Sequence, residues 1–497
     1  MLKTIIAREF LNNILNLRFM IGLVLCIIVT VACIMILVHD YQQEMKDYSG
    51  RVNIQDDILN NYANAKFFVL LQMTRPQKPP ERFRPLIIGI PGNEELESFY
   101  DNPLSILFPP LDFLFIVTII MSLLAILFSH DAIARERQSG TLRLVISNSI
   151  SRTKILFGKF IGGIASLIIP FILSLLVGAL YISVNPSIQW DGSAWAELAL
   201  LTAASITFIT LFYLLGLMVS SFSRYSSTSI LNCLFLWILL ILVIPNVCPY
   251  ISAQLYRIPS IKGTERQQKE IKIYSIKVAG EHIKESAKEF RSKYGKLFSE
   301  FESMEFGGIG SLYIFGRDID PKYQKAAQQR AKANPEFKAM MNEFRKVVNK
   351  ERDESFRIQN ESGDKLRKDL GTKAAAQTRF AKNLACISPF TNLVYVVRDL
   401  TGTGLRSLDY FERTKGEYRE YQMRPYLNKK IQDARKKNPA LNEESLLDIS
   451  DRPRFVLKEE VLKDKLNKVL PYWGILVLFN VVFFVAAFAG FMRYDVR

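Results

Sequence analysis

The sequence predicts an all-α membrane protein: six transmembrane helices, with a large, mostly helical extracytoplasmic domain between the fifth and sixth. Three observations carry this. The 497 residues are 49% hydrophobic with a mean hydropathy of +0.11, too apolar for an ordinary soluble protein, yet 23% are charged, too many for a chain in membrane throughout. Six apolar runs each approach or exceed the roughly 20 residues that cross a bilayer as a helix. The charge is also uneven: the short connections assigned to the inside hold 12 Lys/Arg and four Asp/Glu, those assigned outside seven and 13. The positive-inside rule then puts both termini in the cytoplasm.

In chain order, residues 1–17 carry Leu2, Ile5, Ile6, Phe10, Leu11, Ile14 and Leu15 at three- and four-residue spacing, with Lys3, Arg8 and Glu9 between them. That pattern predicts an amphipathic helix in the membrane interface. Residues 19–38 form the first span. A cleaved signal peptide is the competing reading, but the run is too long and no small-residue cleavage site closes it. Residues 39–103 are polar and net acidic, and Pro76, Pro79, Pro80, Pro85 and Pro91 predict an extended, ordered extracytoplasmic loop. Residues 104–128, entered through Pro109-Pro110, make the second span, and 160–183, with Pro170 inside, the third. Residues 185–197 contain no Lys or Arg, and Trp190 and Trp195 fit an interfacial belt. The fourth span covers 198–219 and ends in a short loop bearing Arg224. The fifth covers 228–247, and the sixth, 469–492, follows only after the long insert.

An insert that follows the fifth of six spans is extracytoplasmic, and it is drawn as one domain over 249–468. Charged runs at 265–301 and 321–382, broken at Gly307-Gly308, Asn334-Pro335 and Asn438-Pro439, predict helices. Residues 307–319 read as a packed loop, and 410–426, alternating aromatics with charges, as a helix with one packed face. Residues 248–468 hold 45 Lys/Arg and 31 Asp/Glu, most of the chain's net charge of +16. A basic chain raises nucleic acid as a partner. This charge is instead spread along helical runs beside apolar spans, which points to solvated faces and to anionic membrane lipids, with no nucleic acid.

No catalytic constellation emerges. The chain has no Walker A motif and no G-x-S-x-G elbow. Thr401-Gly402-Thr403-Gly404 lacks the lysine of a phosphate loop and reads as a turn. His39, His130 and His282 are isolated, and no CxxC or Cys/His cluster suggests a metal. Cys26, Cys33 and Cys233 lie in apolar spans as small hydrophobes, whereas Cys248 and Cys386, both on the far side, leave a single disulfide open.

The most specific stretch is 128–159, with six Lys/Arg against two acids between long apolar runs. Asp131, Arg135, Glu136 and Arg137 alternate in charge and Gly140 breaks the run. Leu142, Leu144, Val145 and Ile146 then oppose Arg143 on an amphipathic turn, and Lys154 and Lys159 open the next span. Asp131, Glu136, Gly140, Thr141, Leu142 and Arg143 spell D-x-x-x-x-E-x-x-x-G-T-L-R, which resembles the first cytoplasmic loop of ABC-2-type transporter permeases. Ser151, Arg152, Ile155, Leu156, Gly158 and Lys159, together with the chain end 491–497, resemble the same family. Arg257-Ile258-Pro259-Ser260, Ile387-Ser388-Pro389-Phe390 and Leu400–Gly404 resemble its subgroup with a large domain before the last helix.

The resemblance implies a permease subunit of the cytoplasmic (inner) membrane, not itself an enzyme, that couples ATP hydrolysis in separate ABC ATP-binding subunits to export of a substrate. ATP and Mg would be engaged only through those subunits, with no cofactor bound directly. Coupling falls to Asp131, Glu136, Gly140, Thr141, Leu142, Arg143, Arg152 and Lys159, through a helix seated in a cleft of the ATP-binding subunit. Without the resemblance, Arg135, Arg137 and Arg143 read as anchors to lipid headgroups. A homodimer, or a heterodimer with a homologous permease, is expected, and Gly158, Gly162 and Gly163 permit close helix packing there. Two other functions stay open: a mechanotransmission subunit acting on an envelope protein partner without transport, and a membrane-anchored sensor or structural protein. No charge in mid-span marks a substrate path, which favours an amphipathic or lipidic cargo.

Overall fold

The computed structural model describes residues 2–61, 63, 76–89, 111–147, 151–188, 190–305, 329–437 and 447–493. Among these the regular structure is helical, without a strand. The loop expected at 307–319, the Asn438-Pro439 break, the entry through Pro109-Pro110 and residues 494–497 of the chain-end motif lie outside the described residues.

Helix α1 (Leu2–Ile14) precedes α2 (Leu17–Asn61). α3 runs from Phe113–Phe115 through a π-helical turn, Ile116–Met121, into Ser122–Ser129. Two short helices follow, α4 (Ala134–Gln138) and α5 (Thr141–Ser147), before α6 (Arg152–Val184) and α7 (Gly192–Phe222). α8 covers Ser226–Leu255. Then come α9 (Ile261–Tyr294), α10 (Lys296–Glu305), α11 (Pro335–Ala385) and α12 (Pro389–Thr401). α13 begins at Leu405–Glu417 and continues to Lys437, and α14 is Leu462–Met492. Among the described residues six stretches are long and apolar enough to cross a membrane: α2, Phe113–Gln138, α6, α7, α8 and α14.

The chain divides into two compact units, one of Met1–Val247 with Ala385–Arg497 and one of Cys248–Leu384. In the first, α7 is the central helix, burying Phe208, Phe212, Tyr213 and Leu215 while packing on α3, α12 and α14. The second is held by an aromatic cluster: Phe344 of α11 packs on Phe290 and Phe298 at 5.2 and 5.1 Å between ring centroids, and Phe301 on Phe337 at 6.0 Å. Gly295, at φ +51°, turns the chain between α9 and α10.

Two boundaries differ from the sequence reading. The loop drawn at 39–103 is helical to Asn61, so α2 has 45 residues and is about 68 Å long. No proline precedes Pro76, Gln42-Gln43-Glu44-Met45-Lys46 favours helix, and Leu59 and Ala63 are buried against Tyr418, Met423, Leu427 and Ile449. The prolines act only from Pro76 on, where the chain is non-helical and buries Phe83, Leu86 and Ile87. The insert drawn as one domain over 249–468 is also divided. α12 carries Leu393, Val396, Val397 and Leu400 on one face, and these are buried in the same core as the spans, so residues after 384 belong to the membrane unit. None of the five cysteines, Cys248 and Cys386 included, forms a disulfide.

Candidate functional site

The loop between α3 and α6 is fixed from its inner side by backbone and hydroxyl groups. A helix leaves its first N–H groups without intrahelical partners. At α4 these are met from α7, where the Ser220 hydroxyl accepts from Ile133 N at 3.1 Å and Ala134 N at 2.9 Å. Ser229 of α8 donates to the His130 carbonyl at 2.7 Å, and Arg137 donates to the Ser223 carbonyl at 3.2 Å. Gly216 lets α7 approach this turn; a Cβ there would lie 1.9 Å from Ser129 Oγ. Arg18, at the head of α2, reaches Asp131 and the Leu127 carbonyl at 3.1 and 3.3 Å.

The charged centre is Lys159. Its buried Nζ lies 2.7 Å from Glu9 Oε1 of α1 and 2.7 Å from Glu136 Oε1 of α4. One ammonium therefore joins three elements. The Tyr213 hydroxyl of α7 donates to the Lys159 carbonyl at 2.9 Å and brings in a fourth. Glycines make this closeness possible. A Cβ on Gly158 would meet Ile5 at 2.5 Å, one on Gly162 would meet Glu9 at 2.8 Å, and one on Gly163 would fall 1.9 Å from the Tyr213 hydroxyl. The close approach of these glycines is thus to α1 and α7 of the same chain. Asn13 of α1 adds a hydrogen bond to Ser166 at 3.1 Å.

Beyond this centre the loop turns outward. Gly140 adopts φ +74°, a left-handed conformation that glycine takes at little cost. α5 then buries Leu142 and exposes Thr141, Arg143 and Leu144. The Thr141 hydroxyl donates back to the Glu136 carbonyl at 3.3 Å and pairs with Ser139 at 2.9 Å. Arg152 donates to the Met492 carbonyl at 2.7 Å, tying the start of α6 to the end of α14.

The structure thus sorts the residues singled out in the sequence. Asp131, Glu136 and Lys159 are anchors, Gly140 is the turn, Leu142 is buried under α5, Thr141 and Arg143 are at the surface, and Arg152 serves a separate joint. Glu9, Arg18, Tyr213 and Ser220 complete the site and were not singled out. Glu9 is the lone acid of an otherwise basic amphipathic helix, and Tyr213 a hydroxyl in an apolar span; both features are visible in the sequence. Among the described residues no His/Cys/Asp/Glu group is disposed to hold a metal ion. In chemical terms the arrangement is a rigid bracket, with polar bonds inside and an exposed short helix outside.

Comparison with protein families matches residues 3–496 to the family described as ABC-2 family transporter protein. Comparison with curated proteins gives no match.

Proposed function

The chain belongs to the ABC-2 transporter family, whose members are multi-pass membrane subunits associated with ABC ATP-binding subunits, and on that premise we propose that it couples ATP hydrolysis in those subunits to export of a substrate. In this reading the loop 129–159 faces the cytoplasm and α5 docks on the ATP-binding subunit. The observation that carries it is the two-sidedness of the loop: Glu136–Lys159–Glu9, Ser220 and Arg18–Asp131 hold its inner side, while Thr141, Arg143 and Leu144 present an outer face. A partner that grips α5 differently in its ATP-bound and ATP-free states shifts the membrane helices between conformations through these bonds. The chain would work as a homodimer or with a homologous permease.

The test is topological and functional together. A cysteine introduced as Ser139→Cys, in a chain whose Cys248 and Cys386 are replaced by serine, is expected to react with an impermeant maleimide in inside-out vesicles but not from outside intact cells, and to be protected when the ATP-binding subunit is bound. Labelling from outside would sink the reading.

A second reading, in which ATP-driven motion is passed to an envelope partner and nothing crosses the bilayer, is favoured by the separate helical unit Cys248–Leu384. Substrate-dependent, ATP-driven transport in inside-out vesicles separates the two: its presence supports export, and ATPase activity without it supports mechanotransmission.

A further inference from the structure

α7 reaches from Ser220, under the loop, to Glu197, a helical distance of about 35 Å. At that far end the first unit holds a cavity of about 140 Å³. Its walls are the segment around Lys78–Phe83, the starts of α7 and α14, residues 457–460 and the turn from α12 into α13. Seven Lys/Arg and five Asp/Glu line it. Five of the cations already hold carboxylates. Lys78 pairs with Glu81 at 2.5 Å, Arg406 with Asp399 at 3.0 Å, Lys465 with Glu197 at 2.6 Å and Lys468 with Glu460 at 2.7 Å; Arg82 holds both Asp191 and Glu459.

Arg398 and Lys458 are left over: neither forms an ion pair among the described residues. Arg398 Nε is buried without a hydrogen-bond partner. Burial pushes the Arg398 pKa below the usual arginine value, opposed by the Asp112 carboxylate. A half-buried cation whose Nε has no hydrogen-bond partner is costly to a fold. Two hydroxyls on the same wall, Ser407 and Tyr410, also make no hydrogen bond among the described residues. They sit on the first turns of α13, whose N-cap is Gly404 and offers no side chain to the free amides there. Two surplus positive charges, two idle hydroxyls and an uncapped helix start lining one cavity together suit an oxyanion. The volume takes a phosphate group with several waters but not a lipid tail.

We propose that this cavity binds a phosphate-type oxyanion, held by Arg398 and Lys458 and oriented by the hydroxyls of Ser407 and Tyr410. The group is the headgroup phosphate of an anionic lipid or a free phosphate compound; the guanidinium and ammonium recognise both alike. The site goes beyond the coupling reading and does not rest on it, since none of its residues belongs to the loop.

The experiment is calorimetric titration of the full chain in detergent with two probes, inorganic phosphate and dioctanoyl-phosphatidylglycerol. Saturable binding of both assigns the site to phosphate itself, and binding of the lipid alone assigns it to a membrane headgroup. Either outcome supports the proposal when Arg398→Gln and Lys458→Gln each weaken binding about tenfold or more. Lys458 is exposed, so its variant folds regardless and keeps the test decisive. No saturable binding of either probe, or binding that both variants leave unchanged, overturns the proposal.

Discussion

Lys159→Met is the sharpest test of the bracket. Methionine keeps much of the lysine's apolar stem and removes the charge that Glu9 and Glu136 share at 2.7 Å each. At an effective dielectric near 20, each contact corresponds to an attraction of about 4 kcal/mol at 4 Å. Most of that is offset by the cost of having desolvated Lys159, whose side chain is only 4% exposed. Removing one partner of such a buried group costs about 3–5 kcal/mol, because the opposite charges remain. Glu9 and Glu136 retain 22% and 30% exposure, although Glu136 Oε2 is itself buried without a partner, and the expected loss is about 3 kcal/mol. That corresponds to a fall in melting temperature of roughly 5 °C, read by size-exclusion thermostability of the solubilised chain. The ion-pair logic adds a signature of its own. A neutral triple variant, Glu9→Gln with Glu136→Gln and Lys159→Met, should recover most of the loss, since no charge is then left unpaired. If Lys159→Met melts within about 1 °C of the parent, or the triple variant is worse than the single one, Lys159 is not the centre that holds the loop.

Three further outcomes follow from the same geometry. Gly163→Ala places a Cβ 1.9 Å from the Tyr213 hydroxyl and should cost about 1–3 kcal/mol by overpacking; Tyr213→Phe in the same chain relieves part of it, as measured by thermal melting of both variants. Leu144→Asp, at a position 67% exposed, should change stability by no more than about 0.5 kcal/mol yet reduce co-purification of the ATP-binding subunit; unchanged co-purification would remove α5 from the docking face. Phe344→Ala takes a nearly buried ring out of the aromatic cluster and should cost about 3–5 kcal/mol. Hydrogen exchange should then rise within residues 248–384 and stay unchanged in the spans.

The spans were legible because a bilayer-crossing helix is a matter of local composition, and the loop because its motif lies within a few turns of chain. What escaped were contacts between distant residues. Glu9 and Lys159 are 150 positions apart, and nothing in either neighbourhood names the other. The glycines at 158, 162 and 163 announced that helices come close but not which ones; small residues mark proximity without specifying the neighbour, and α1 and α7 of the same chain fill the space assigned to a second subunit. The helix over 39–61 was hidden by spreading the effect of prolines that begin only at Pro76 over a segment they do not occupy. α12 was read as part of the insert although Leu393, Val396, Val397 and Leu400 repeat at helical spacing, the period of a core-facing stripe.

In the coupling reading proposed above, the placement of polar bonds gives a small displacement of the loop a path through the first unit. Mid-span packing is mostly apolar, with Trp473 and Asn480 of α14 hydrogen-bonded to Thr207 of α7, and directional bonds at helix ends add to it in fixing register. α7 is held at one end by Ser220 against α4 and at the other by Glu197 against Lys465 of α14. α14 in turn accepts from Arg152 at its own far end, and α6 carries Lys159 only seven residues further on. The path from α4 to α7, α14 and α6 closes on itself, and every joint is a hydrogen bond or ion pair at a helix end. In the same coupling reading, a force on α5 would pass along this closed path to the far end of α7, where the charged cavity lies.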